Sequence, residues 1–166
     1  VMCNYIQIFF IFVAKVWTKS YLIMKKLLIL FIVLSFNYSF AAVYTVTNTN
    51  DSGVGSLRDG IIAVNSGDTI NFTLTYPATI PLSSGEINFG KSIYFDGPGA
   101  DLLSISGGSS SRLFYITAGD VYFNNLTIRD GQETGGSAYG AGISTEFGVN
   151  LYISECKFTN HIQTST

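Results

Sequence analysis

The stretch Val121-Tyr-Phe-Asn-Asn-Leu-Thr-Ile-Arg-Asp130 returns thirty residues later as Leu151-Tyr-Ile-Ser-Glu-Cys-Lys-Phe-Thr-Asn160. In that register Leu126 falls over Cys156 and Ile128 over Phe158. A shorter echo, Ile93-Tyr94-Phe95, stands 28 residues before Val121-Tyr122-Phe123. Self-similarity at a period of about 20 to 50 residues is the mark of a solenoid. A unit of about 28 residues holding three short strands is the size of one coil of a parallel β-helix. Such a coil cannot bury its inward face alone, and stacking sets like residues over like in a continuous core. A β-sandwich also accommodates short strands separated by turns, but it does not predict the repeat.

The rest of the chain from Val43 onward agrees with strands. Thr69–Leu74, Glu86–Phe89, Lys91–Phe95 and Leu102–Ser106 alternate apolar and polar residues, as do Arg112–Ile116, Val121–Phe123, Leu126–Ile128 and Asn150–Ile153. These runs are filled by β-branched and aromatic residues, and Gly, Asn, Asp and Ser separate them. One segment departs from the pattern. In Ser56-Leu-Arg-Asp-Gly-Ile-Ile-Ala-Val64, Ser56 and Asp59 make a capping-box-like start. Leu57, Ile61 and Val64 (or Ile62) then share a helical face, and Asn65-Ser-Gly67 ends the run. Gly60 costs this helix about 1 kcal/mol against Ala. A lone amphipathic helix before the first strand can cover the apolar end of a solenoid, and residues 43–68 are therefore expected to form its N-terminal cap.

Composition matters once it is split. The chain is 47% hydrophobic with a mean hydropathy of +0.34, values that taken whole suggest a membrane protein. Residues 1–42 hold four Lys and no acid, a charge of +4, whereas residues 43–166 hold five basic and eleven acidic groups, −6, and all 17 Gly. Met24-Lys25-Lys26, the apolar run Leu27–Leu34 and the closing Ser39-Phe40-Ala41 read as a signal peptide over residues 24–42. Residues 1–23 precede that complete leader and are expected to be spurious upstream translation or an extra hydrophobic segment. Export to the outside or to a cell surface follows. The acidic remainder has no basic stripe to neutralise phosphates, so no nucleic-acid partner is expected. Two Cys, at 3 and 156, make neither a disulfide framework nor a zinc site. The single His161 leaves no Ser–His–Asp set with a backup.

Several stretches together resemble a known group. They are Tyr44-Thr-Val-Thr-Asn-Thr-Asn-Asp-Ser-Gly-Val-Gly-Ser-Leu-Arg58 with Ile61, then Asn65-Ser-Gly-Asp-Thr-Ile-Asn-Phe72, Asp96-Gly-Pro-Gly-Ala-Asp-Leu-Leu-Ser-Ile-Ser-Gly107 and Asn125-Leu-Thr-Ile128. They are similar to the start of bacterial exported proteins of the pectin-lyase-like superfamily, including polymorphic outer-membrane proteins and adhesins. Many of these open with a "TVTNTNDSGxGSLRxAI" cap related to the CSLREA type. Gly55 stands where CSLREA-type members have Cys, and Gly60 where Ala is usual. The resemblance spans residues 43–160 and implies an all-β, right-handed parallel β-helix with a short N-terminal capping helix. It also implies a secreted or bacterial cell-surface or outer-membrane location. Residues 69–160 would form about three to four coils, and 161–166 a truncated tail. Membrane attachment is then expected only through the leader or a missing C-terminal anchor.

Chemistry is harder to place. Pectin-lyase-like enzymes need clustered carboxylates for Ca²⁺ or acid–base work, or a basic residue beside a sugar carboxylate. The candidates are Asp96, Asp101, Asp120, Asp130 and Glu155, with Arg112 and Arg129. Asp96 sits in Asp-Gly-Pro-Gly, and Gly119-Asp120 and Asp130-Gly131 are turn dipeptides, so turns account for these three. Asn124 and Asn125 align with Ser154 and Glu155 at an expected coil bend, where polar residues can bond along the stack. Asn71-Phe-Thr73 and Asn125-Leu-Thr127 match an N-glycosylation pattern that a bacterial leader makes accidental. Cys156, over Leu126, reads as a small core residue. Gly131–Gly142, with Tyr139, reads as an extended loop between coils, where binding surfaces grow. No catalytic residue, metal site or cofactor is assigned. The expected function is a structural, adhesive or glycan-binding module whose partners are surface glycans or a host or neighbouring cell. The alternatives are a polysaccharide-degrading enzyme with its catalytic coils beyond Thr166, and a truncated product without function.

Overall fold

A computed structural model describes residue 17 and residues 19–31, 41–133 and 140–164. The chain divides into two units, residues 1–40 and 41–166. In the first, residues 19–31 are helical and expose Met24, Leu27, Leu28 and Phe31. Among the described residues no helix is long and apolar enough to cross a membrane. The h-region read to Leu34 and the cleavage site at Ala41 fall partly outside the described residues.

The second unit is a parallel β-solenoid of about four turns. Sheet A takes β1 (Val43–Val46), β2 (Asp68–Phe72), β5 (Ile93–Asp96), β8 (Asp120–Asn124) and β12 (Asn150–Ser154), in that order. Sheet B takes β3 (Ala78–Pro81), β6 (Leu103–Ser106), β9 (Thr127–Arg129) and β13 (Lys157–Thr159). Sheet C takes β4 (Ile87–Gly90), β7 (Phe114–Ala118) and β11 (Ile143–Thr145). A short fourth ladder pairs β10 (Gln132–Glu133) with β14 (Ile162–Gln163). Every paired ladder is parallel, which excludes the antiparallel sandwich.

The register is the one the repeat implies. Ile93 pairs with Val121, Tyr94 with Tyr122 and Phe95 with Phe123. Val121 pairs in turn with Leu151 and Phe123 with Ile153, while Ile128 pairs with Phe158. Alternation along each strand sends one set of side chains inward, so Ile70, Phe95 and Phe123 form one buried column and Ile80, Ile105 and Ile128 another. Phe95 and Phe123 stack with centroids 4.6 Å apart, and Phe114 lies 5.2 Å from Phe123. Each such ring is worth about 1.5–3 kcal/mol on burial.

The cap is built as its sequence implies. The cap helix spans Leu57–Ala63, with Ser56 as N-cap accepting from the Asp59 N–H. Leu57, Ile61 and Val64 are buried and Ile62 is exposed, so the apolar face includes Val64. Asp68 ends an inward column that continues as Ile93, Val121 and Leu151. Its carboxylate accepts from the Ala42 and Asn65 backbone N–H groups at 2.8 and 2.7 Å, placing a satisfied charge where the apolar column stops. At the other end, coil four leaves Ile153, Phe158 and Ile162 exposed.

Candidate functional site

The outward face of sheet A gathers more of the flagged polar residues than any other face described. Alternation on β5, β8 and β12 turns Tyr94, Tyr122 and Tyr152 outward into one column. Their centroids are separated by 5.7 Å and then 4.4 Å, the upper pair nearly parallel at 7°. Two residues further along each strand, Asp96, Asn124 and Ser154 form a second column. On the opposite side of the tyrosines stand Asp120 and Asn150. Asn124 Nδ2 donates to Asp96 Oδ1 at 3.4 Å, and Asn150 Nδ2 donates to Asp120 Oδ1 at 2.8 Å. Burial pushes the Tyr122 phenol above its ordinary pKa, and the neighbouring Tyr152 and Asp120 add to the shift.

The remaining candidates are dispersed over the corners of the coils. Asp101 is exposed and pairs with Lys157. Asp130, at φ 54°, accepts from Ser106 Oγ at 2.8 Å and from Asn160 Nδ2 at 3.3 Å, and pairs with Arg129 at 3.2 Å. Arg129 also reaches Thr79 Oγ1 at 3.3 Å. Arg112 bridges Glu86 at 2.9 Å and Glu133 at 3.1 Å, and lies 5.2 Å from the Tyr115 ring centre. Among the described residues, no three His, Cys, Asp or Glu converge as a metal site.

The expected bend is present. Asn125 and Glu155 hold φ of 54° and 51° directly after β8 and β12, and Asn124 pairs with Ser154. Asn125 N donates to Ser154 O at 3.1 Å, a bond running along the stack. Cys156 is partly buried against the core, and burial pushes its thiol up, unlike an activated nucleophile.

Three features have roles that no pattern in the sequence marks. The tyrosine column served there only as a marker of the repeat, although period-two alternation already puts its residues outward. The Glu86–Arg112–Glu133 chain joins residues distant in sequence and left no local signal. His161 is the third. Gly131 N donates to its Nδ1 at 3.1 Å and Nε2 lies 3.1 Å from Ile128 O, so the geometry puts the proton on Nε2. A Cβ at Gly131 would sit 2.7 Å from that ring and one at Gly142 3.0 Å away. At Gly131 the Ala141 carbonyl oxygen would be closer still, 2.2 Å from such a Cβ, so glycine is required there by the Ala141 backbone as well as by His161. Residues 134–139 of the Gly-rich stretch, Tyr139 included, lie outside the described residues.

Compared with family models, curated proteins and solved structures, the chain matches none.

Proposed function

We propose that this chain is an exported β-helix module of a cell surface or secreted layer, structural and adhesive rather than catalytic, of the kind found in bacterial pectin-lyase-like surface proteins. The observation that carries the reading is the use of its charged residues. Asp96, Asp101, Asp120 and Asp130 each hold a side chain from another part of the stack, and Arg112 joins two carboxylates. Groups engaged in this way knit coils together, whereas acid–base chemistry needs carboxylates converging on one reacting bond. The leader over 24–42 and the cap motif at 44–58 supply the argument for export.

The test expresses the full chain with a C-terminal tag in a bacterial host, fractionates the cells and treats intact cells with protease. Loss of the leader together with protease-accessible chain is the expected result. Tagged chain retained in the cytoplasm would overturn the export. Depolymerisation of pectin, alginate or a related glycan, abolished by Asp96→Asn or Asp120→Asn, would overturn the non-catalytic part.

A further inference from the structure

We propose that leader removal cuts the Ala41–Ala42 bond and seats the new α-ammonium group of Ala42 on the buried Asp68 carboxylate, closing the N-terminal end of the solenoid with an ion pair. The proposal rests on the export reading and goes beyond it, naming the bond that is cut and the role of the terminus it frees.

Asp68 carries the argument. It stands first in an inward column continued by Ile93, Val121 and Leu151, and only 5% of it is exposed. Its oxygens accept from the Ala42 N–H at 2.8 Å and from the Asn65 N–H at 2.7 Å. These donors, that of Ala42 foremost, hold its carboxyl below the usual carboxylate range, so it is ionised at neutral pH. Yet among the described residues no cationic side chain forms an ion pair with it. Lys91 instead donates to the Ile62 and Val64 carbonyl groups at the end of the cap helix. A buried carboxylate is ordinarily matched by a positive charge. Of the two backbone nitrogens on Asp68, that of Ala42 lies at the leader junction and gains such a charge on cleavage.

Sequence and geometry meet at the same bond. A cut after Ala41 leaves small residues, Ser39 and Ala41, third from last and last in the leader, whereas a cut after Ala42 puts Phe40 in the first of these places. Ala41 and Ala42 are exposed, so the bond is open to a leader peptidase. Hydrolysis adds one water across it: Ala41 leaves as a carboxylate and the Ala42 nitrogen becomes an ammonium group, with no net gain or loss of protons. The leader read over 24–42 then ends one residue earlier. Ala42 stays in place after the cut, because its carbonyl accepts from the Thr69 N–H at 2.9 Å. A cut after Ala42 would remove that bond and leave the next nitrogen, on Val43, about 3.3 Å further along the strand. A charged donor makes a hydrogen bond about twice as strong as the neutral amide it replaces. Processing is thereby coupled to closure of the cap: the precursor offers Asp68 a neutral amide, the processed chain an ammonium group.

The experiment expresses the full chain with a C-terminal tag in an exporting bacterial host, purifies the exported form and sequences its N-terminus. Ala42 is expected as the first residue. The α-amine is then acylated with an N-hydroxysuccinimide ester near pH 7, where only the uncharged amine reacts, and the label on the N-terminal peptide is followed by mass spectrometry. An adjacent carboxylate favours the charged amine by about tenfold or more. The exported chain should therefore react about ten times more slowly than exported Asp68→Asn. Circular dichroism checks that the variant is folded. If Asp68→Asn does not fold, the unaltered exported chain in urea becomes the reference, and the same factor is expected. A first residue other than Ala42, a folded Asp68→Asn labelled no faster, or equal labelling in urea and in buffer would each overturn the proposal. Export with cleavage at another bond removes this proposal alone. Cytoplasmic chain that keeps its leader removes the export reading and this proposal with it.

Discussion

Replacing Gly60 by Ala sets two effects of known size against each other. In an isolated helix the change would stabilise by about 1 kcal/mol, because Ala loses less backbone entropy than Gly. In this chain, however, a Cβ on Gly60 would lie 2.7 Å from both Cδ1 and Cε1 of Tyr44. The ring has little room to yield. Its hydroxyl donates to Asp59 Oδ2 at 2.9 Å and accepts from Gly55 N at 3.1 Å, fixing its far end to both sides of the cap. Overpacking of this kind costs about 1–3 kcal/mol, and a lost hydrogen bond adds about 1 kcal/mol. Gly60→Ala should therefore destabilise the solenoid by about 1–3 kcal/mol net of the propensity gain. Urea denaturation and a thermal melt read this directly, and the melting temperature should fall by about 3 °C or more. The decisive measurement is the cycle with Tyr44→Ala. Once the ring is gone, Gly60→Ala should become stabilising, giving a coupling of at least about 1 kcal/mol. A rise in melting temperature with Tyr44 in place, or additive single effects, would refute the packing argument.

Five other substitutions test different parts of the stack. Phe123→Ala removes a ring packed against Phe95 and Phe114 and should cost about 3–5 kcal/mol by urea denaturation; Ile153→Ala, on the exposed last coil, should cost under about 1 kcal/mol. Arg112→Met leaves the Glu86 and Glu133 carboxylates without their shared guanidinium and should cost about 1–3 kcal/mol, partly relieved at acid pH. Backbone donors from Ala42 and Asn65 hold Asp68 below the usual carboxylate range; Asp51 is also held there, its burial outweighed by bonds from Ser84 and Arg58. A depressed folded pKa gives stability that is present above about pH 4 and lost as pH falls through the folded value, so melting temperature should drop on acidification, less steeply in Asp68→Asn. Glu155→Asn should stabilise the last bend by about 0.5–1 kcal/mol, because Asn tolerates the positive φ of 51° better than Glu; an unchanged or lower melting temperature would contradict this.

Which coils are legible in the sequence depends on their bends. Phe123 and Ile128 are five residues apart, as are Ile153 and Phe158, so coils three and four repeat without a gap over ten residues. In coils one and two the same inward positions, Ile70 with Ile80 and Phe95 with Ile105, are ten residues apart. Only the Ile93-Tyr94-Phe95 triad survives that change as a visible echo. β3 was not read as a strand at all. It is four residues long and ends in Pro81, which a sheet tolerates here because β3 is the edge of sheet B. Ile162–Gln163 were set apart as tail residues, yet they pair with β10, a ladder too short for periodicity to reveal. Gly60 has no local signal of its role, which lies in the close approach of the Tyr44 ring. For the same reason the ion-pair chain through Arg112 was illegible: pairing across coils depends on bend lengths that no local pattern encodes.

Bend length also explains why sheet A keeps its column of tyrosines in register. An extra residue inside a strand sends every following side chain to the opposite face, and the register shift on sheet C between Phe89 and Gly90 falls at the very end of β4. Lengthening a bend costs only about 0.6 kcal/mol per doubling of its length. The passage from sheet B to sheet C grows accordingly, from Ile80–Ile87 through Ile105–Phe114 to Ile128–Ile143, while sheet A keeps Tyr94 over Tyr122 over Tyr152. Variation is thereby concentrated at the corners, and Arg112 ties the enlarged one to its neighbours through Glu86 and Glu133. Constant spacing between stacked side chains is something corners of unequal length cannot supply. The sheet faces can, and among those described only the outward face of sheet A stacks three aromatic rings in register.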